Sequence, residues 1–242
     1  MKVNDSNVKI DTYKDFSTSK LAPKAISEEK PKKINAPVIA TTAVGTMIPL
    51  LLIRRYQGLG LKVGALKGMD FKSKIKTVFK SFSIKYDLKE MLFMSYGSVF
   101  GGLAGGLLFD NKEKKKAKAK IKEAVFQLSN IAIPTCIVAG LLKLSENSKK
   151  LKGIFPKIAS VVLGIGAGMP LASVVSSKIN NSIIDKDNPS KRKIRLKDCF
   201  VHVDDLIGAL VLSKIPFADK LHAEKVLPVL YGICGYEAGV ER

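Results

Sequence analysis

Four polar residues near the C-terminal end of the chain have the types and spacing that suit cation or proton binding. Asp198, His202 and Asp205 follow one another at intervals of four and three residues, and Asp204 stands beside them. On a helix with about 100° between successive residues, the first three fall within about 60° of one another. Acidic and imidazole groups inside a membrane segment are costly, so their presence there indicates a function.

A second interpretation places the same residues at the membrane surface. Asp198 then caps a helix, His202 faces lipid headgroups, and Asp204 and Asp205 lie in water. The uncharged stretches beside them are short for a membrane span, which favours this interpretation.

A second pair, Asp219 and His222, repeats the spacing of His202 and Asp205. If the two segments form a helical hairpin, two imidazoles and two carboxylates have the ligand types of a divalent metal site. Since spacing alone supports it, we predict no metal site.

Motifs of common enzyme classes are absent from the sequence, which has no GxxxxGK[ST], HExxH or GxSxG pattern. The cysteines, Cys136, Cys199 and Cys234, are far apart and odd in number, so they predict neither a disulfide framework nor a zinc site. We predict no enzymatic activity and no cofactor.

Four uncharged stretches of 18 to 20 residues dominate the chain, at 36–53, 91–109, 124–142 and 158–177. Each is long enough to cross a bilayer core of about 30 Å at about 1.5 Å per helical residue. They predict an all-α, polytopic membrane helix bundle that occupies 36–242 as one domain. The polar segment 1–35 has no apolar core and predicts a disordered tail.

Two further apolar runs, 199–213 and 226–240, are short for a span. They predict two shorter helices packed on the bundle, with two further spans or a re-entrant hairpin as alternatives.

Between the first two spans, the segment 69–90 alternates lysines with apolar residues. On a helix, Phe71, Ile75, Phe79 and Phe82 share one arc, which predicts a basic amphipathic helix lying at the membrane surface. The end of this segment also alternates with period two, as in a strand. We favour the helix, because an open strand edge is costly at a membrane.

Glycines at intervals of four mark the second and fourth spans. Gly97, Gly101 and Gly105 form one row, and Gly164 and Gly168 belong to another. Small residues at this spacing let helix backbones approach closely, so we expect these five glycines to pack helices, within the chain or between copies in a homo-oligomer.

The chain has 41 Lys and Arg against 21 Asp and Glu, a formal charge of +20. Basic loops beside spans bind anionic headgroups, whereas nucleic-acid binders usually add arginines and aromatic residues, which are scarce here. We therefore expect anionic lipid as a partner, with lysines of 112–122 as an anchor, and no nucleic acid. The same lysines place that loop in the cytoplasm and the N-terminus inside, in what we expect to be a bacterial inner membrane.

Two functions fit these features. The first is an architectural or interaction membrane protein that packs through its glycine-rich helix faces. The alternative is a small ion or solute transporter or channel that uses the acidic and histidine groups of 198–222.

Overall fold

The computed structural model describes residues 34–59, 68, 70–73, 76–77, 82–110, 114–148, 151, 153–184, 186, 198–220 and 222–240, without the side chains of 114, 115, 198–202, 217 and 219. The regular structure of these residues is helical. Its α-helices are α1 Ala36–Tyr56, α2 Leu88–Phe109, α3 Lys114–Asn147, α4 Ile154–Ile179, α5 Asp198–Ser213, α6 Pro216–Lys220 and α7 Leu227–Val240. The predicted tail 1–35 lies outside the described residues except for its last two positions.

Four helices are long and apolar enough to cross a membrane: Ala36–Tyr56, Leu88–Phe109, Lys116–Asn147 and Ile154–Ile184, the last including a π-helical turn. The prediction of four long apolar helices is thereby confirmed; the first two are 3 residues longer than their uncharged stretches, and the last two are 13 and 11 residues longer. On α4, Val162, Leu163 and Val174 are 63%, 64% and 64% exposed. A water-soluble bundle would bury such residues, and lipid is the solvent that suits them.

Local sequence sets where the first two spans begin. Asn35 precedes α1, and its side-chain oxygen accepts a hydrogen bond from the Val38 amide at 3.3 Å. At α2 the Glu90 carboxylate accepts from the Asp87 amide at 3.1 Å, as in a capping box. These contacts satisfy backbone amides that have no partner inside the helix.

Helices α1 and α2 run antiparallel with their backbones in close contact. A Cβ on Gly101 would lie 2.6 Å from the Thr41 carbonyl oxygen and 2.8 Å from Gly45 Cα. One turn earlier on α2, Gly97 lies against Pro49. Helices α3 and α4 pair in the same way, with Pro134 of α3 against Gly168 of α4.

The two shorter C-terminal helices pack among the long ones. Helix α7 is parallel to α2, because its Gly235 contacts Ser98 and its Gly239 contacts Gly102 and Gly106. At about 1.5 Å per residue, the 16 residues of α5 and the 14 of α7 are shorter than the ~30 Å bilayer core. The main apolar core lies where α1, α2 and α7 meet, around Leu50, Met91, Met94, Leu227 and Tyr231.

The segment before α2 is helical at the described residues 71–73 and 76–77, and its end departs from the predicted surface helix. Residues 83–87 are not helical, and the part before Phe82 lies largely outside the described residues. Phe82, Ile84 and Tyr86 are buried in the main core, while Lys85 and Asp87 between and after them are exposed. The period-two alternation, and not the helical arc, therefore describes this end of the segment, because the apolar side chains gain more from the bundle core than from headgroups.

Gln57, just after α1, holds this segment in place. Its side-chain nitrogen donates to the Lys85 carbonyl at 2.7 Å, and its side-chain oxygen accepts from the Lys85 amide at 2.9 Å. A single side-chain amide thus pairs with both backbone groups of one residue, as a neighbouring strand would.

Gln57→Ala is expected to free the segment at a cost of about 1 kcal/mol, because two partly exposed hydrogen bonds are lost. Hydrogen exchange of the purified protein in detergent should show faster exchange of the Lys85 amide. Gln57→Glu keeps the acceptor and loses the donor, so in this variant the Lys85 amide should exchange at a rate between those of the wild type and Gln57→Ala. Unchanged exchange at Lys85 in Gln57→Ala would show that the core contacts of Phe82, Ile84 and Tyr86 suffice.

Candidate functional site

The two adjacent acids of α5 lie inside the bundle and not in water. Asp204 is 1% exposed and Asp205 is 5% exposed. Asn130 of α3 donates to the Asp205 carboxylate at 3.0 Å, and the Cys234 thiol of α7 donates to the Asp204 carboxylate at 3.3 Å. The interpretation that places Asp204 and Asp205 in water is therefore wrong. Both lie inside the bundle, among helices α3, α5 and α7.

Helix α3 contributes a row of buried polar side chains on one face. Lys120, Glu123, Gln127 and Asn130, here called the buried polar row, are 0%, 4%, 0% and 1% exposed. Their spacing of three or four residues keeps them on one side of the helix. Gln127 donates to the Glu123 carboxylate at 2.9 Å, so the row holds one acid–amide pair, and Asn130 forms a second with Asp205 of α5.

Lys120 joins the ends of two other helices. Its ammonium group lies 3.1 Å from the Asp110 carboxylate, which follows α2, and donates to the Gly239 carbonyl of α7 at 2.8 Å. A cation at helix C-termini is favoured by the helix dipole. The expectation that the lysines of 112–122 all anchor lipid is thus wrong for Lys120, because acceptors inside the bundle bind its charge.

Polar contacts also link α1, α2 and α7. Thr46 donates to the Ser98 hydroxyl at 2.9 Å, and Ser98 donates to the Tyr231 carbonyl at 2.6 Å. The Tyr231 hydroxyl lies 3.6 Å from where a Cβ on Gly208 would stand, about one helical turn from Asp204 and Asp205. Hydroxyl groups therefore continue the polar interior beyond the two acids.

A cavity of about 700 Å³ opens at the opposite end of the bundle from Lys120. Tyr86, Asp87, Lys214 and Glu224 are among its lining residues. Burial raises the pKa of Tyr86, so this hydroxyl keeps its proton. The hydrogen bond to Asp87, at 2.9 Å, raises the pKa of Lys214 and keeps its amine charged. The mouth of the cavity thus carries groups of both signs.

Of the other residues named as candidate ligands, His222 is the one whose side chain the structure describes. Asp198 and His202 lie in the first turns of α5, and Asp219 lies in α6, with side chains outside the described part. His222 is 65% exposed, and its ring lies 3.5 Å from the Glu224 carboxylate. Among the described residues, no group of three or more His, Cys, Asp or Glu could hold a metal ion.

The five predicted packing glycines all contact helices of the same chain. Gly97, Gly101 and Gly105 lie against Thr41, Gly45 and Pro49 of α1. Gly164 and Gly168 lie against Val138 and Pro134 of α3, where a Cβ on Gly168 would stand 2.5 Å from Pro134 Cα. Those faces are filled, so a contact between copies of the chain would have to use other residues.

The buried polar row was not predicted from the sequence as a functional site. Gln127 and Asn130 were visible as polar residues three apart within an uncharged run, and Lys120 and Glu123 extend the same helical face. That periodicity, followed past the end of the uncharged run, was the available signal. The row was missed because the predicted span 124–142 stops short of the first charged residue before it, Glu123.

Comparisons with models of known protein families, with curated proteins and with solved structures each found no match.

Proposed function

We propose that this protein moves a monovalent cation, either a proton or a metal ion, across a membrane through the polar interior of its helix bundle. The observation that carries the proposal is the pairing of Asp205 with Asn130 at 3.0 Å. Both side chains are almost completely buried, and one of them is a carboxyl group.

Depth makes this pair costly. Asn130 stands near the middle of the candidate span Lys116–Asn147. The proposal therefore puts Asp205, which is bound to Asn130, near the bilayer centre. An acidic group at that depth costs about 2.5–3.5 kcal/mol or more unless it is protonated or paired. A carboxyl group kept at such a cost indicates a function, and we propose that this function is to bind and release a cation.

The neighbouring side chains give a cation partners on both sides of Asp205. Toward one end of the bundle lie the side-chain oxygens of Gln127 and Glu123; beyond them the Lys120 ammonium, which is not a partner for a cation, is paired with Asp110. Toward the other end lies Tyr231, beyond which the cavity at Tyr86 opens to the surroundings. Carboxyl, amide and hydroxyl groups in such an order are the chemistry of proton relays and cation pathways.

The end that carries Lys120 is proposed to face the cytoplasm. Helix α1 begins there, and residues 114–122, the described part of the lysine-rich segment, lie at the same end. Excess lysine in a short loop favours the cytoplasmic side, and anionic headgroups are the proposed partner of its exposed lysines.

Asp205→Asn is expected to reduce cation flux at least tenfold, because the amide can neither bind a proton nor neutralise a cation. The full chain is reconstituted into liposomes with a pH-sensitive or Na⁺-sensitive dye inside, and an imposed gradient drives the flux. Glu146→Gln, at an exposed carboxylate near the end of α3, is the matched control and should transport like the wild type.

Two results would contradict the proposal. One is wild-type liposomes whose proton and Na⁺ flux equals that of empty liposomes. The other is an Asp205→Asn protein that folds normally and transports at the wild-type rate.

An architectural or interaction role is the second candidate. The observation that favours it is the open space at Gly140 and Gly166, two outward-facing glycines on α3 and α4 where an added Cβ meets no atom within 4 Å. Small residues facing lipid allow another helix to approach. A monomer in detergent and in lipid nanodiscs, measured by native mass spectrometry, would exclude self-association as the function.

A further inference from the structure

Gln127 has a buried oxygen atom without a hydrogen-bond partner. The side chain is 0% exposed, and its nitrogen donates to the Glu123 carboxylate at 2.9 Å. Its oxygen Oε1 accepts no hydrogen bond in the part of the chain that the structure describes. A buried acceptor without a hydrogen-bond partner is unfavourable, so its surroundings favour a group that binds it.

The atoms around Gln127 favour a positive charge. Glu123 stands one turn before it on α3, and the Asn130–Asp205 pair stands one turn after it. The Glu123 carboxyl of α3 thus lies on one side of Gln127 along the helix axis, and the Asp205 carboxyl of α5, bound to Asn130, lies on the other. A carbonyl oxygen between carboxylates attracts a cation and repels an anion.

We infer that Na⁺ binds at Gln127 Oε1, with Glu123 and Asp205 supplying the compensating negative charge. This inference rests on the proposed cation transport and names the ion. Amide and carboxylate oxygens are hard ligands that suit such an ion, as in Na⁺-coupled transporters whose ion sites lie near the bilayer midplane.

The ligand set disfavours a divalent ion. Calcium takes six to eight oxygen ligands and magnesium keeps a nearly ideal octahedron, usually with carboxylates and several waters. One amide and two carboxyl groups, one of them already bound to Asn130, are fewer ligand groups than either divalent ion takes.

The test is the thermal unfolding of the full chain in detergent, in NaCl and in choline chloride at equal ionic strength and pH. A ligand that binds only the folded state raises the unfolding midpoint. Saturating Na⁺ is expected to raise it by about 2–4 °C, as a stabilisation of roughly 1 kcal/mol does in a protein of this size. Gln127→Met should fold and lose this response, because a thioether of similar volume replaces the amide.

Asn180→Leu is the matched control. Asn180 also has a buried side-chain oxygen without a partner, but it lies after α4, where its nitrogen donates to the Lys122 carbonyl at 3.3 Å. This variant should keep the full Na⁺ response. Loss of the response in Asn180→Leu, or its persistence in Gln127→Met, would overturn the assignment.

A direct measurement covers the case in which Gln127→Met does not fold. The wild type is titrated with ²²Na⁺, and bound ion is counted at several pH values. The site is supported if binding is saturable and neither K⁺ nor choline displaces the ion effectively. The absence of saturable binding overturns it. Proton flux that depends on Asp205 but not on Na⁺ would leave the transport proposal standing and remove this site, whereas the absence of any flux would remove the transport proposal itself.

Discussion

Gly102→Ala is expected to lower the free energy of unfolding by about 3 kcal/mol, although it adds one methyl group. The added Cβ would overlap the Gly235 carbonyl group of α7 and stand 3.0 Å from the Thr42 hydroxyl of α1. The Gly235 carbonyl is backbone and cannot rotate away, so α2 and α7 must separate. Unfolding in mixed micelles, followed by circular dichroism, measures the loss.

Gly166→Ala is the matched control for this substitution. Gly166 also lies inside a membrane helix, but an added Cβ would meet nothing within 4 Å. Alanine has the higher helix propensity, so this variant should be unchanged or up to about 1 kcal/mol more stable. Equal effects of the two substitutions would mean that α2 and α7 do not pack at the described separation.

Lys120→Met is expected to cost about 3–5 kcal/mol, because it leaves Asp110 and the end of α7 without the cation that joins them. The Lys120 ammonium group is 0% exposed and makes contacts of 3.1 Å to Asp110 and 2.8 Å to the Gly239 carbonyl. Methionine fills the volume but supplies no donor. The measurement is the same unfolding experiment, with Lys118→Met, at an exposed lysine two residues earlier, as a near-neutral control.

A double-mutant cycle identifies the cause of the loss. Asp110→Asn together with Lys120→Met should cost less than the sum of the two single changes, because the buried charge is removed along with its partner. Strict additivity would contradict a direct coupling between the two groups. A Lys120→Met protein as stable as Lys118→Met would show that this lysine reaches water or headgroups.

The long helices could be predicted from the sequence because the bilayer imposes a length on each of them. Four uncharged runs of about the right length became four helices that can span a membrane. Their boundaries were less predictable. Helix α3 begins at Lys114, ten residues before its uncharged run, since a helix continues through lysines when a neighbouring acid accepts one of them.

The segment 82–87 shows where periodicity alone failed. Its sequence supports both a helical arc and a period-two alternation, and local propensity does not decide between them. The decision came from Gln57, 28 residues before Lys85, and from a core assembled by α1, α2 and α7. Neither partner is visible from inside the segment.

Part of the candidate site could be predicted from the sequence. Asp204 and Asp205 were identified by residue type, but their burial depends on Asn130 and Cys234, which lie 75 and 30 residues away. Gln127 and Lys120 were not identified, because a polar residue in a helix is ordinary until the opposing surface is known. Cys234 lies in an apolar run, and its local sequence does not indicate that its thiol donates to the Asp204 carboxylate.

By itself, the sequence determined that the chain forms long apolar helices and that charged segments separate its uncharged runs. Both are consequences of local composition, since a backbone in lipid must satisfy its hydrogen bonds within each segment. Tertiary structure decided which glycines meet which backbone, which lysine is buried, and that two acids share the interior with the amides of α3. Those outcomes depend on pairs of residues distant along the chain, and only the packing of helices brings such pairs within hydrogen-bond distance.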